Sequence, residues 1–188
     1  AGTRRYARQL VMPEIGPQGQ ARLAQAKVLV VGAGGLGSPA LLYLAGAGVG
    51  TLGVVDFDTV DITNLQRQVI HQTERVGQRK TDSAAASVRA LNPEGRVVTH
   101  AEALTDDSAA RLIDGYGVVI DGTDTFEARY ALNDAAVAAR IPVVHASVFR
   151  FEGQVTVLAP FEGPCYRCLH PAPPPAELAP ACEVAGVL

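Results

Sequence analysis

The sequence lacks the features of several functional classes. No apolar run approaches the roughly 18 residues of a membrane-spanning helix, and no basic segment followed by an apolar stretch opens the chain, so we expect neither a membrane partner nor a signal peptide. Neither sign of charge dominates, because the formal net charge is -3, and this balance does not favour a nucleic-acid partner. Cysteine is scarce and odd in number (Cys165, Cys168 and Cys182), which fits a reducing compartment better than a disulfide framework. We therefore expect a cytoplasmic protein.

Apolar residues, in contrast, are abundant. Hydrophobic residues make up 48% of the 188 residues and charged residues 19%, a composition typical of globular proteins. The length fits one domain over residues 1–188 with a sizeable core. Within it, residues 1–26 form a helical segment interrupted by proline and glycine. Residues 160–188 are rich in cysteine and proline, and we expect this last segment to be incomplete at its C-terminal end.

Short apolar runs alternate with longer segments of helical pattern. Strands are predicted at 27–31, 51–55, 96–100, 118–121, 142–147 and 154–158. Helices are predicted at 35–47, 78–91, 106–114 and 126–140. This alternation predicts an α/β fold with a mostly parallel sheet and helices on both faces. The last strand follows its neighbour without a helix between them, so it should pair antiparallel.

The most informative motif follows the first strand, where residues 28–37 read VLVVGAGGLG. Gly32 permits a tight turn, Gly34 lets a phosphate approach the backbone, and Gly37 lets the helix pack against the strand. Free backbone amides at a helix start face an anion. Asp56 follows nineteen residues after Gly37 and can hold a ribose hydroxyl. The motif predicts a nucleotide site and leaves the nucleotide open.

A second group of polar residues lies at the same predicted edge of the sheet. Residues 57–77 form a long irregular insert, which is unusual in a compact domain and often functional. Arg67 in this insert and Lys80 after it could bind phosphates as a planar fork and a point charge. Each also fits a solvated surface residue, and Asp124 also fits the N-cap of the helix predicted from residue 126.

Seven motifs occur in the order seen in one family. They are Gly32–Gly37, Asp56–Asp58, Asn64–Gln68, Gly77–Lys80, Asp121–Asp124, Cys165–Cys168 and Cys182–Glu183. From about Arg5 to Leu188 the chain resembles the MoeB/ThiF-type adenylyltransferases of the HesA/MoeB/ThiF family, relatives of the ubiquitin-activating enzymes. The resemblance implies a Rossmann-like fold.

The resemblance also implies an activity. Members activate small ubiquitin-like sulfur carriers of the MoaD or ThiS type for molybdopterin, thiamine or tRNA-thiolation pathways. The carrier's C-terminal Gly-Gly carboxylate attacks the α-phosphate of ATP and gives an acyl-adenylate. The implied cofactors are ATP, Mg²⁺ and structural Zn²⁺, and a sulfurtransferase is a possible further partner.

Residue roles follow from the same resemblance. Asp124 would hold Mg²⁺, and Arg8 would reach the ATP site of a neighbouring subunit, which implies a homodimer. The catalytic set would be Arg67, Lys80, Asp124, Arg8 and Cys182. The nucleotide-binding set would be Gly34, Gly35, Asp56, Asp58, Asn64, Arg67, Gln68, Lys80, Asp124 and Thr125.

The cysteines leave several interpretations open. Structural zinc usually has four ligands, and the pair Cys165 and Cys168 supplies two; the family's second pair lies beyond Leu188. His170 as a third ligand and a redox dithiol are the alternatives; against the dithiol, the pair is expected in a loop and not at a helix start. Cys182 matches a residue that in some relatives takes the activated carboxylate and in others is dispensable.

Two other functions compete with this interpretation. An NAD-dependent oxidoreductase fits the glycine turn and Asp56, but it does not explain the polar group at residues 64–80 or the cysteine pair. A non-catalytic subunit that binds a ubiquitin-like protein would typically have lost Arg67, Lys80 and Asp124, which this chain has. The histidines show no metal-binding spacing, and His100 and His145 are expected in strands as core or strand-end residues.

Overall fold

The computed structural model describes residues 2–159 and 162–174. The α-helices are α1 (Gly2–Arg5), α2 (Ala7–Leu10), α3 (Gly16–Gln25), α4 (Gly37–Ala47), α5 (Lys80–Leu91), α6 (Asp106–Ile113), α7 (Phe126–Ala139) and α8 (Tyr166–Leu169). The strands are β1 (Lys27–Val31), β2 (Thr51–Val55), β3 (Arg96–His100), β4 (Val118–Asp121), β5 (Val143–Phe149) and β6 (Glu152–Leu158). In the part of the chain described, no helix is long and apolar enough to cross a membrane.

The six strands form one sheet in the order β3-β2-β1-β4-β5-β6. Strands β1 to β5 are parallel, and β6 pairs antiparallel with β5. The predicted α/β sheet with its final hairpin is therefore confirmed. The hairpin is longer than predicted, because Arg150 adopts a left-handed conformation (φ 52°) that turns the chain within two residues and lets both strands run to the turn.

Alternate residues of β1 point to opposite faces of the sheet, and each face has its own core. Val28 and Val30 pack with the buried residues of α4 and α5. Leu29 and Val31 pack with those of α6 and α7. Both faces of the central strand are therefore covered, which explains its continuous apolar run.

Close backbone contacts fix the glycine turn between β1 and α4. A Cβ on Gly37 would lie 1.8 Å from the carbonyl oxygen of Gly32, so only glycine fits there. Gly32 has φ +90°, and a Cβ on it would lie 2.7 Å from the carbonyl oxygen of Gly122. The turn after β1 thus packs against the loop after β4. Since the strand order reverses between β1 and β4, this is the switch point at which open α/β sheets bind ligands.

The insert at residues 57–77 is irregular, as expected, but it is packed. It contains two short 3₁₀ turns, Ile62–Asn64 and Thr73–Arg75, and Thr59 forms an isolated bridge with Arg79. Its residue Ile70 is 1% exposed and joins the core formed by α4 and α5. The insert therefore lies fixed above the ends of β1 and β2. The helix that follows it begins at Lys80 and not at 78, because residues 78 and 79 still pair with the insert.

Candidate functional site

A cleft of about 590 Å³ opens at the carboxyl ends of β1, β2 and β4. Its walls come from the glycine turn, the end of β2, the insert, the start of α5 and the loop between β4 and α7. The predicted site residues that line it are Gly34, Gly35, Asp56, Asp58, Arg67, Gln68, Lys80, Asp124 and Thr125. Five segments of the chain thus bring nine of the predicted residues to one cavity.

The peptide group of Ala33, in the glycine turn, is held from two sides. Its N–H donates to Oδ2 of Asp56 at 2.8 Å, and its carbonyl accepts from Nε2 of the buried His71 at 2.9 Å. Nδ1 of His71 then accepts from the hydroxyl of Ser83 at 2.9 Å. Burial lowers the pKa of His71, so the imidazole is neutral, as this bonding requires. The turn is therefore preformed.

Asp56 makes hydrogen bonds within the protein in addition to the ribose contact predicted for it. Its Oδ1 accepts from the N–H of Asp58 at 2.9 Å, so both carboxylate oxygens bind backbone amides. Burial raises the pKa of Asp56, and the two amide hydrogen bonds and Lys80 oppose that rise. Each oxygen keeps a lone pair that can accept from a ligand.

The insert packs Arg67 and Gln68 directly beside the glycine pair. A Cβ on Gly35 would lie 3.6 Å from Cδ of Arg67, and a Cβ on Gly34 would lie 3.6 Å from Nε2 of Gln68. Gln68 is buried, and its Oε1 has no hydrogen-bond partner in the described structure. The Arg67 guanidinium makes one long hydrogen bond of 3.5 Å to the carbonyl of Thr63. Side-chain donors of the insert therefore lie next to the glycine turn and line the same cleft.

Lys80, at the first position of α5, is 6% exposed. Its ammonium pairs with Oδ2 of Asp58 at 2.8 Å, while the Asp58 side chain is half-exposed at the cleft. The pairing keeps a positive charge in a nearly buried position, where an unpaired ammonium would be strongly disfavoured. The pair therefore fixes a positive charge at the wall of the cleft, where an anion could bind.

The loop after β4 carries Asp124 and forms another wall of the cleft. The N-cap of α7 is Thr125, whose hydroxyl accepts from the N–H of Ala128 at 3.4 Å. The alternative interpretation of Asp124 as the N-cap is therefore wrong, because the helix starts one residue later than that role needs. Asp124 is exposed, lines the cleft, and makes no hydrogen bond or ion pair with any residue described. Its carboxylate is available to a ligand.

Of the predicted residues that the structure describes, Asn64 and Arg8 do not line this cleft. Asn64 is half-buried in the first 3₁₀ turn of the insert, where its carbonyl accepts from the N–H groups of Arg67 and Gln68. Arg8 is exposed on α2. Cys182 lies outside the described residues.

The cysteine pair lies at a one-turn helix. Cys165 is the N-cap of α8, so the expectation that the pair lies in a loop, away from any helix start, is wrong. The four-residue turn is too short to leave a periodic pattern in the sequence. The two Sγ atoms are 3.6 Å apart. This separation is close to the roughly 3.8 Å between two thiolates of a tetrahedral zinc site with Zn–S bonds of about 2.3 Å, so the pair fits half of such a site.

The surroundings of Cys165 favour its thiolate. Although burial opposes ionisation, hydrogen bonds from Cys168 and from the backbone of Arg167 hold the pKa of Cys165 below its ordinary value. Arg167 also anchors the turn to α7, because its guanidinium binds Asp134 through two contacts of 2.7 Å. Among the described residues, no group of three or more His, Cys, Asp or Glu side chains could hold a metal ion.

Sequence reasoning missed four residues near the site, of which His71, Asp121 and His145 are buried and Arg129 is half-buried. His71 was assigned no role, yet it holds the glycine turn. Asp121 entered only as part of a motif, yet it pairs with His145 at 2.7 Å, and both side chains are 3% exposed. Arg129, on α7, lines the cleft and donates to the carbonyl of Thr123 at 3.0 Å. A polar residue in an apolar strand was the available signal for His145, but strand position alone also fits a core histidine.

Comparison with solved structures identifies the same fold. Escherichia coli MccB, crystallised with AMPCPP and MccA, matches with a TM-score of 0.80 and 27% identity over 88% of this chain and 51% of its own. Escherichia coli tRNA N6-threonylcarbamoyladenosine dehydratase, TcdA, crystallised with ATP, matches with a TM-score of 0.72 and 33% identity over 76% of this chain and 58% of its own. The Rossmann-like prediction is confirmed.

Curated relatives are more similar in sequence. The adenylyltransferase and sulfurtransferase MOCS3 of Sus scrofa is 55% identical over 98% of this chain and 40% of its own length. The probable adenylyltransferase/sulfurtransferase MoeZ of Mycobacterium tuberculosis is 53% identical over 98% of this chain and 48% of its own. The chain thus spans less than half the length of these two relatives. Their names agree with the prediction of an enzyme of the adenylyltransferase class. Because the model of the ThiF family matches residues 6–188, the chain belongs to the ThiF family.

Proposed function

We propose that this chain is the ATP-binding domain of an adenylyltransferase that activates the C-terminal glycine carboxylate of a small ubiquitin-like sulfur carrier. A carboxylate oxygen of the carrier attacks the α-phosphorus of ATP, the bond to the β-phosphate oxygen breaks, and acyl-adenylate and pyrophosphate form. The observation that carries the proposal is the juxtaposition of Gly34 and Gly35 with Arg67 and Gln68 at one cleft.

The proposed reaction brings two anions together, so positioning and charge neutralisation supply most of the catalysis. The N–H groups of Gly34 and Gly35 would bind phosphate oxygens. The guanidinium of Arg67, in the adjacent insert, would bind oxygens of the same phosphates. Lys80 would share its ammonium between Asp58 and the triphosphate. The remaining lone pairs of Asp56 would accept from the ribose hydroxyls.

The roles of Asn64, Thr125 and Asp124 are further parts of this proposal. Asn64 shapes the turn that carries Arg67 and Gln68, and Thr125 would bind at the cleft beside Asp124. The Asp124 carboxylate would hold Mg²⁺, which usually binds to one or two carboxylates together with substrate phosphates. Bound there, Mg²⁺ would neutralise developing charge on the leaving pyrophosphate.

Three further assignments concern Arg8 and the cysteines. The exposed position of Arg8 on α2 leaves its guanidinium available to a second copy of the chain, and we propose a homodimer in which it completes the neighbour's site. Cys165 and Cys168 would hold a structural zinc ion together with two ligands from outside this chain. The Cys182 thiolate would attack the acyl-adenylate, form a thioester with the carrier and release AMP; its replacement by serine, with carrier-to-sulfide conversion as the readout, tests that role.

The chemistry of the cleft favours this function over hydride transfer. A dinucleotide would use the glycine turn and Asp56, but it gives no reason for Arg67, the Lys80–Asp58 pair and Asp124 to converge on the same cavity. Arg67, Lys80 and Asp124 also argue against a non-catalytic subunit, since a binding module has no need of phosphate ligands.

The test is direct formation of the adenylate. The protein is mixed with Mg-ATP and candidate carriers ending in Gly-Gly, and the carrier mass is followed. The proposal requires a mass gain of one adenylate, absent for a carrier lacking its terminal Gly-Gly. Binding of NAD in preference to ATP, with no carrier modified, would refute it.

A further inference from the structure

A buried pair of side chains lies behind the loop that carries Asp124. Nδ1 of His145, on β5, donates to Oδ2 of Asp121, at the end of β4, over 2.7 Å. Each side chain is 3% exposed, and neither lines the cleft. The pair is therefore separate from the groups that would contact nucleotide.

The second oxygen of Asp121 holds the loop itself. Its Oδ1 accepts from the N–H of Thr123 at 3.0 Å and from the Thr123 hydroxyl at 2.7 Å. Thr123 directly precedes Asp124, and its carbonyl accepts from Arg129 at 3.0 Å. One carboxylate thus connects β5 to the residue before Asp124.

Packing alone does not explain a histidine at position 145. Its Nε2 is buried and has no hydrogen-bond partner in the described structure, and a buried polar atom without a partner is unfavourable. The ring of Tyr166 lies 5.0 Å from the imidazole and closes this region from water. An apolar residue of similar size would fill the space without an unpaired atom. What it would lack is the N–H that fixes the Asp121 carboxylate.

Resting on the proposed function, the geometry points to His145 as a positioning residue for the Mg-ATP site. Through Asp121 and Thr123 it fixes the loop so that the Asp124 carboxylate faces the cleft. Asp124 itself has no other described partner that would hold it there. Groups that orient a metal-binding carboxylate affect metal affinity without touching the metal.

The test uses two variants of similar size and ATP binding measured by calorimetry, once with MgCl₂ and once with EDTA. His145→Leu removes the donor, whereas His145→Asn places an amide N–H close to the Nδ1 position. We expect the strengthening of ATP binding by Mg²⁺ to fall about tenfold in H145L and to stay within about twofold of the unaltered protein in H145N. Affinity in EDTA should change little in either variant. If H145L does not fold, His145→Gln replaces it, since the longer side chain places its amide away from Nδ1.

A double-mutant cycle separates positioning from general destabilisation. In an Asp124→Asn background, His145→Leu should change the effect of Mg²⁺ by less than about twofold, because the carboxylate that it positions is absent. An equal loss of affinity in EDTA and in MgCl₂, or a full effect in the D124N background, would overturn the positioning role. Absence of any Mg-ATP binding by the unaltered protein would instead overturn the proposed function, and the positioning role with it.

Discussion

Replacing Arg67 by alanine is expected to slow adenylate formation about 10²- to 10³-fold while leaving the fold intact. Arg67 lies beside Gly35 at the cleft, and its guanidinium has a single long hydrogen bond, 3.5 Å to the carbonyl of Thr63. The side chain therefore contributes little to the unliganded structure, and we expect a change in the free energy of unfolding below about 0.5 kcal/mol. Loss of one preorganised donor to a developing negative charge raises a barrier by about 3–4 kcal/mol, and each 1.4 kcal/mol or so is tenfold in rate.

The assay is ATP–pyrophosphate exchange in the presence of a carrier ending in Gly-Gly, with thermal unfolding measured in parallel. Arg89→Ala is the matched control, since Arg89 is exposed on α5 and does not line the cleft. Arg67→Lys should fall between the alanine variant and the unaltered protein, because it keeps the charge and loses the planar fork. Exchange in R67A within about threefold of the R89A control would refute the reasoning, because one lost donor should cost about 10²-fold or more.

Four further outcomes are expected. Gly37→Ala should lower the melting temperature by about 2–12 °C, since its Cβ would lie 1.8 Å from the Gly32 carbonyl oxygen; an unchanged melting temperature would contradict the packing of the turn. Asp124→Asn should leave the melting temperature unchanged and raise the Mg²⁺ concentration for half-maximal exchange on the order of tenfold or more; an unchanged requirement would remove Asp124 as the Mg²⁺ ligand. In zinc-free protein, alkylation of Cys165, followed by peptide mass, should reach half its maximal rate at a lower pH than that of a free cysteine, because its pKa is lowered; a midpoint at or above the ordinary value would contradict this. Burial lowers the pKa of His71 in the folded state, so the unfolded chain binds the extra proton and stability should fall as pH drops below about 6.5; urea unfolding at about pH 7.5 and 5.5 should show a smaller loss in His71→Gln, and equal losses would exclude His71 as the cause.

Local patterns predicted the strands and the longer helices well because these elements have strong local causes. The β1 run is continuously apolar because both faces of the strand are covered, and Gly37 is required by a contact five residues away in the chain. The one-turn helix at Cys165 and the N-cap at Thr125 were not predicted correctly. Both depend on a single residue's position in a short segment, which periodicity does not resolve.

The sequence predicted the residues that line the cleft better than the residues that position them. Motif order brought Arg67, Lys80 and Asp124 forward as candidates, and the fold places all three at one cleft. The residues that position the glycine turn and the loop before Asp124 were not predicted from the sequence. His71 binds a carbonyl 38 residues away, and His145 binds a carboxylate 24 residues away. Such contacts have no signature in the local sequence.

Strand burial and glycine sterics act over a few residues, so the α/β sheet and its phosphate-type glycine turn follow from local patterns in the sequence. The surroundings of that turn are set by the tertiary structure. It paired Lys80 with Asp58, left Asp124 without a described partner at the cleft, and put Asp121 and His145 behind it. These relations depend on which strands lie side by side. The order of strands in the sheet, with β1 between β2 and β4, brings residues from distant segments to one edge.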